Sequence, residues 1–246
     1  MTSPNTQLSF PSSFNSDNVV FPKPVQGNIP NTTISFHRIP IQVKNDDGSI
    51  GDLVLCTDKL FSFGIKEQTD PATQKPTGNY TLPLCMWGRT VTSENEKLFT
   101  KVFDTIVEKC RDNLLVLKDD EEFSEHGYRI NDDNLEDFMI NSMYKGPRKN
   151  KKLTDPNYKP ILSPKLMVKT IYDKETGKSR KDIITSFYDA DGNDLNFEDL
   201  VGKYINTTSA VKIEGVFINK KKISLQVKVL ESEVELIESK GKSLLK

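Results

Sequence analysis

The sequence predicts a β-rich, mixed α+β fold: an OB-fold-like, partly open Greek-key β-barrel with one long amphipathic helix and extended loops. Three observations predict it. Most of the chain after Ile34 alternates apolar and polar side chains with the period of two that marks a half-buried strand. One stretch only, Ser93 to Leu117, changes to the three-to-four spacing of a helix. Neither an internal repeat nor a strand–helix alternation is present, which argues against a doubly wound parallel sheet. Eight or so strands around one helix fit a small barrel, because closing a sheet removes its exposed edges.

The 246 residues divide into an irregular arm (1–31), a single OB-fold-like domain (32–235) and a tail (236–246). The arm is rich in Ser, Asn, Pro and Thr and offers little to bury, although Phe10, Phe14 and Phe21 can pin it to the body. From Ile34, I-S-F-H-R-I-P-I-Q-V and I-G-D-L-V-L-C flank a D-D-G turn as a hairpin, with an edge or bulge at Pro40. Leu60–Lys66 and Tyr80–Trp87 are the next strands, joined by a Pro- and Gly-bearing loop. The helix opens with a capping box, Ser93 and Glu96, and Leu98, Val102, Phe103, Ile106, Val107, Cys110, Leu114 and Leu115 form its apolar stripe. A short helix is expected near Leu135–Met143. Lys165–Asp173 and Lys181–Tyr188 read as a hairpin over D-K-E-T-G-K, with Lys165, Met167, Lys169 and Ile171 on one face. D-A-D-G-N-D is a turn, Phe197–Val201 one helical turn, and A-V-K-I-E-G-V-F-I with K-I-S-L-Q-V-K-V-L a closing hairpin of strict alternation.

Charge is the strongest functional signal. The formal net charge is −1, yet Lys145–Lys181 holds twelve Lys and Arg against three acids, a net of +9, and Lys118–Asp137 holds nine acids against two bases, a net of −7. From Met143 to Tyr188, a stretch that spans the basic insert (145–181), the cations are interleaved with Tyr144, Tyr158, Tyr172, Phe187 and Tyr188. Cations that track phosphates beside rings that stack on unpaired bases are the requirements of a single-stranded nucleic acid site. The candidate contacts are Lys145, Arg148, Lys149, Lys151 and Lys152 in the basic loop, Lys165, Lys169, Tyr172, Arg180 and Lys181 on or beside strands, and Trp87 with Arg89. Phe61 with Phe63 and the Lys220–Lys222 turn are further candidates. The bland alternatives are a solvated basic surface, core aromatics, and a nuclear-import signal in P-R-K-N-K-K.

Catalytic and cofactor readings find no support. His37 and His126 lack metal-ligand spacing, so no metal is expected. Neither phosphate-cradling glycine motif occurs. Asp189–Asp194 departs from a calcium loop, with its Gly in the fourth position and Leu200 where a bidentate Glu is needed. The acidic run Asp119–Glu122 lies on one segment, whereas a nuclease needs carboxylates converging from several. No enzyme activity and no cofactor are therefore expected. Cys56, Cys85 and Cys110 read as small buried hydrophobes. No apolar run approaches a membrane span, and the first residues lack the order of a secretion signal, so the chain is expected to stay inside the cell, with no membrane partner.

L-P-L-C-M-W-G (Leu82–Gly88), S-P-K-L-M-V-K (Ser163–Lys169) and, above all, Ala210–Val234 resemble the single-stranded-DNA-binding proteins of nucleo-cytoplasmic large DNA viruses, of which the African swine fever virus protein is one. The resemblance implies an OB-fold core that binds single-stranded DNA in viral replication, recombination or repair, at replication sites in the host cytoplasm, without a cofactor. It also implies backbone contacts for Lys165, Lys169 and Lys212. The chain departs from many single-strand binders in ending K-G-K-S-L-L-K and not in an acidic tail, which leaves tail-mediated recruitment of replication proteins open. The rival readings are an RNA-binding protein of the same fold, a self-associating scaffold joined through its acidic and basic blocks, and a metal-dependent nuclease.

Overall fold

The computed structural model describes residues 2–28, 33–70, 72–86, 92–120, 123, 130–155, 157–172, 179–220 and 222–237. The chain begins with β1 (Leu8–Ser9), β2 (Val19–Val20) and β3 (Val25–Asn28). It continues through β4 (Ser35–Pro40), β5 (Gln42–Lys44), β6 (Ile50–Asp52), β7 (Val54–Cys56), β8 (Leu60–Ser62), β9 (Lys66–Thr69), β10 (Pro76–Thr81) and β11 (Leu84–Cys85). Two helices follow, α1 (Glu94–Leu117) and α2 (Asp132–Ser142). The strands resume as β12 (Arg148–Lys149), β13 (Lys152–Leu153), β14 (Ile161–Leu162), β15 (Lys165–Leu166), β16 (Val168–Tyr172), β17 (Ser179–Ile183) and β18 (Ser186–Tyr188), and close with β19 (Ile205–Ile218) and β20 (Ile223–Leu236).

The last two strands are the spine. They pair antiparallel from Ile205 opposite Leu236 to Ile218 opposite Ile223. Along the free edge of β19 lie β8, β7 and β4 in turn, and along that of β20 lie β15 and β18, both parallel to it. The alternation is not strict as expected: register shifts at Ala210/Val211 and Ile213/Gly215 bend the ribbon, as bulges do. A Cβ on Gly215 would overlap the Ile39 carbonyl, so glycine admits the close approach of β4 at the second bend.

The β-rich class, the long helix and the open character of the sheet match expectation, and among the described residues the sheet does not curl into a barrel. The strand path runs β14–β11–β8–β19–β20–β15–β10–β9, and its two outer strands do not pair with each other. Among the described residues the sheet is open and mixed, with two helices and no closed barrel. The expected Lys165–Tyr188 hairpin is also divided. Leu166 and Met167 are both buried, at 3% and 7% exposure, which breaks the period of two. β15 joins the main sheet, whereas β16 and β17 pair alone as a separate ribbon. Thr185 holds the division in place: its hydroxyl accepts from Met167 N–H at 2.7 Å and donates to the Val229 carbonyl at 2.8 Å.

Local signals in the sequence are realised. Ser93 Oγ accepts from Glu96 N–H at 3.0 Å, and the Glu96 carboxylate accepts from Ser93 N–H at 2.9 Å, so both partners of the capping box are present. The core face of α1 carries Phe99, Phe103, Ile106, Val107, Cys110 and Leu114, with Phe99 buried in place of the expected Leu98. Burial pushes the Cys110 thiol up to about 12, which leaves it an inert core residue. Asn131 accepts from Asn134 N–H at 2.9 Å and starts α2 at Asp132, earlier than the apolar pattern implies. The turn at Asp189 and the 3-10 turn Phe197–Leu200 also match.

The N-terminal segment is laid along the body. β1 pairs with β7, and Phe14, Val19 and Phe21 pack on the core. Ser3 N–H and Thr6 Oγ donate to Asp52 at 2.8 and 3.3 Å, and a Cβ on Gly51 would overlap the Asn5 carbonyl. Asp52 also receives the Lys212 ammonium at 2.7 Å, with the two side chains 14% and 9% exposed. Burial alone would raise the Asp52 carboxyl. Lys212, Ser3 and Thr6 outweigh it and hold the group below its ordinary range.

Asp52→Asn is therefore expected to cost about 3 kcal/mol, because it strands a buried ammonium, and urea unfolding measures this. The carboxylate's contribution is fully present above its unfolded pKa, near 4, and disappears as pH falls through the lower folded value. Wild type and the Asn variant should accordingly converge in stability as the pH falls below that folded value.

Candidate nucleic-acid interface

Residues directly opposed on neighbouring strands point to the same side of a sheet. The register sets Lys66 opposite Thr81, Thr81 opposite Lys165, Lys165 opposite Lys228, and Lys228 opposite Lys212. Four lysines and a threonine thus share one side across β9, β10, β15, β20 and β19. At about 4.8 Å per strand the row is about 19 Å long. The next row, Leu166, Val229, Val211 and Leu55, is exposed by 3% or less and faces the core. The pleat itself separates a cationic row from an apolar one.

The four ammonium groups are not equivalent. Lys212 is taken by Asp52, and Lys228 by Glu214, at the second bend of β19, at 2.7 Å. Among the described residues neither Lys165 nor Lys66 has a carboxylate partner. Lys165 is exposed by area, yet enough protein surrounds its ammonium that desolvation, followed by repulsion from Lys222 and Lys228, holds its pKa below the usual lysine range; Glu214 opposes the trend and Lys181 adds to it. Cations pressed together with one of them under strain to lose its proton form a site that an anion relieves.

Lys66 joins this row to a ring cluster. Its ammonium lies 5.2 Å from the centroid of Phe63. Phe63 is 5.1 Å from Phe61 and 6.1 Å from Tyr204, and Phe61 is 5.7 Å from Tyr204. Tyr204 is 53% exposed, so the cluster opens to solvent. Two clefts flank Lys165's neighbours. The larger, about 720 Å³, is lined by Thr77, Tyr80, Lys181 and Phe197, with the Lys181 ammonium on the Thr77 carbonyl at 3.2 Å and Asn79 Oδ1 at 2.8 Å. The smaller contains Lys165 itself together with Lys222 and Tyr144.

The residues expected from the sequence fall into distinct groups. Lys165 is the centre of the cluster, and Lys181 contributes to it. Lys149 and Lys152 face each other, exposed, on the β12–β13 hairpin. Lys169 and Tyr172, the latter 63% exposed, lie on the separate β16–β17 ribbon. Arg180 is paired with Asp182 at 3.2 Å. Arg148 donates to the Lys151 carbonyl at 2.8 Å, and Lys145 is held by Asp104 of α1. Lys151 reaches Asp133, Glu136 and Asp137 of α2 at 3.2–3.4 Å, and hydrogen bonding to Glu136 heads the causes that raise its pKa. Lys212 is a correction: it is buried against Asp52 and presents no ammonium to a phosphate. Trp87 and Arg89 lie outside the described residues, as does the D-K-E-T-G-K turn. Lys66 and Lys228 escaped the sequence reading, because only the register between distant strands brings them beside Lys165.

The chain belongs to the family described as "Protein of unknown function (DUF2738)", whose model matches residues 12–246. No curated protein matches it. Among solved structures the chain is similar to the crystal structure of gp2.5, a single-stranded DNA binding protein encoded by bacteriophage T7, with a TM-score of 0.41 and 11% identity, over 78% of this chain and 91% of that one. The family description specifies neither a viral group nor a ligand, so the resemblance to the large-DNA-virus binders rests on the sequence blocks alone.

The crowding at Lys165 sets an expectation for stability. With its folded pKa below its unfolded one, the unfolded chain holds more protons between the two values, so this group makes stability rise with pH there. Lys165→Gln should keep a Tm equal to or above that of wild type at pH 8, and the gap should narrow toward pH 10.5. Thermal scans of both proteins across that range check it.

Proposed function

For this member of a family of unknown function, we propose sequence-independent binding of single-stranded DNA along the side of the sheet that carries Lys66 and Lys165, with unpaired bases stacking on the Phe61–Phe63–Tyr204 cluster. The observation that carries the reading is the Lys165 ammonium, without an ion-pair partner among the described residues and crowded by Lys222, Lys228 and Lys181, joined through Lys66 to exposed rings. Phosphates supply the missing negative charge, and rings favour strands whose bases are free. Lys149, Lys152 and Lys169 extend the cationic surface, whereas Lys151 contributes little because α2 already neutralises it. In this reading the chain performs no reaction and needs no cofactor. The OB-like character, the role in viral replication, recombination or repair, and a place at replication sites in the host cytoplasm follow from the sequence resemblance. No helix among the described residues is long and apolar enough to cross a membrane.

Fluorescence anisotropy of labelled oligo-dT, titrated at several salt concentrations, tests the reading. Wild type should bind with a steep salt dependence. The Lys66→Gln/Lys165→Gln variant should lower the log–log slope by about 1.4, at about 0.7 for each single-strand phosphate that a lysine no longer neutralises. Lys151→Gln should leave affinity within about twofold, since its charge is already paired. Oligo-dU and oligo-U arms, which differ only in the 2′-hydroxyl, separate DNA from RNA. An absence of binding at low salt, or a double variant with an unchanged slope, rules out the row as the site.

A further inference from the structure

The smaller cleft beside Lys165 has a shape and lining that a phosphate row alone does not require. It lies where the end of α2 meets β14, β15 and β20, and its volume is about 280 Å³. That is just below the roughly 300–1,000 Å³ of sites for drug-sized ligands. A single base fits this scale, and a base pair does not. Lys165 and Lys222 lie on its wall, and Lys222 acts on the Lys165 ammonium. Tyr144 lines it as well, 49% exposed and set edge-on to Tyr158 at 5.6 Å between centroids. Asn141, Ser163 and Gln226 add neutral hydrogen-bonding groups, and Gln226 Nε2 donates to Ser224 Oγ at 3.0 Å, which orients its amide. Two cations, one exposed ring and several amide and hydroxyl groups around a base-sized space match the parts of a nucleotide one for one: phosphate, base face and base edge.

We propose that this cleft is a nucleotide subsite, with the phosphate between Lys165 and Lys222 and the base held beside Tyr144 with its edge toward the amides of Gln226 and Asn141. The inference rests on the strand-binding reading and deepens it, because it gives one nucleotide of the bound strand a position different from the rest. Neighbouring phosphates follow the lysine row. The nucleotide in the cleft is gripped on three sides, with amide donors and acceptors at its base edge.

Isothermal titration calorimetry of the full-length protein with dTMP, thymidine and inorganic phosphate, alongside anisotropy with oligo-dT, tests it. The expected result is that dTMP binds about tenfold more tightly than either phosphate or thymidine. Gln226→Leu and Tyr144→Ala should each remove most of that advantage and leave the salt slope of oligo-dT binding unchanged, whereas Lys222→Gln should weaken dTMP and phosphate together. Paired dUMP and UMP arms, which differ only in the 2′-hydroxyl, report whether the sugar matters. Equal affinity for dTMP and phosphate, with oligo-dT binding intact, overturns the subsite and leaves the strand-binding reading standing. If oligo-dT fails to bind, that reading is lost, and the calorimetry still decides whether the cleft takes a nucleotide.

Discussion

The pairing of β19 with β20 is the constraint on which the rest of the molecule depends. Each strand is fourteen residues long, and five other strands find their partners along its two free edges. The bends at Ala210 and Ile213 decide where those edges face. Because directly opposed residues share a side, this one ribbon fixes which side chains of β15 lie beside which of β20. A slip of one residue would exchange the Lys165 row with the Leu166 row, burying cations and exposing the core. The cationic surface and the hydrophobic core are thus two readings of a single register.

That coupling explains what the sequence could and could not reveal. Features set by neighbours in the chain were legible: the capping box at Ser93, the β5–β6 hairpin over its D-D-G turn, the Asp189 turn and the turn at Phe197. The apolar stripe of α1 was legible to within one residue, and Phe99 displaced Leu98 because helix rotation is set by the core it packs into. Features set by partners more than sixty residues away were not. Nothing near Lys165 announces that its neighbour is Lys228, nor does any local pattern show that Met167 will be buried beside Leu166. The basic insert stood out as a charge block, yet charge density is a poor guide to available charge. Lys145 and Arg180 each have a carboxylate, and Lys151 has three, whereas Lys66, outside the insert, has none among the described residues.

The same comparison separates two kinds of lysine. Where an ammonium is buried with a dedicated acid, as in Lys212 with Asp52, it ties segments together; here it fastens the first residues of the chain to the ribbon. Where like charges outnumber the nearby acid, as at Lys165, the arrangement is held in place by β-sheet hydrogen bonds that do not depend on it. Sheets tolerate such crowding because their backbone network is satisfied regardless of what the outward side chains do.

The parallel placement of β15 and β18 against β20 also bears on how the chain is made. Ribosomes deliver residues 205–236 after every strand that borders them, so β4, β7, β8, β15 and β18 emerge while their shared partner is still unwritten. Until the ribbon arrives, those segments are short strands with open hydrogen-bonding edges, and no local pairing completes the sheet. Assembly is correspondingly a late, concerted event dominated by distant contacts, and the nascent protein is most exposed to misassociation just before its final hairpin is synthesised.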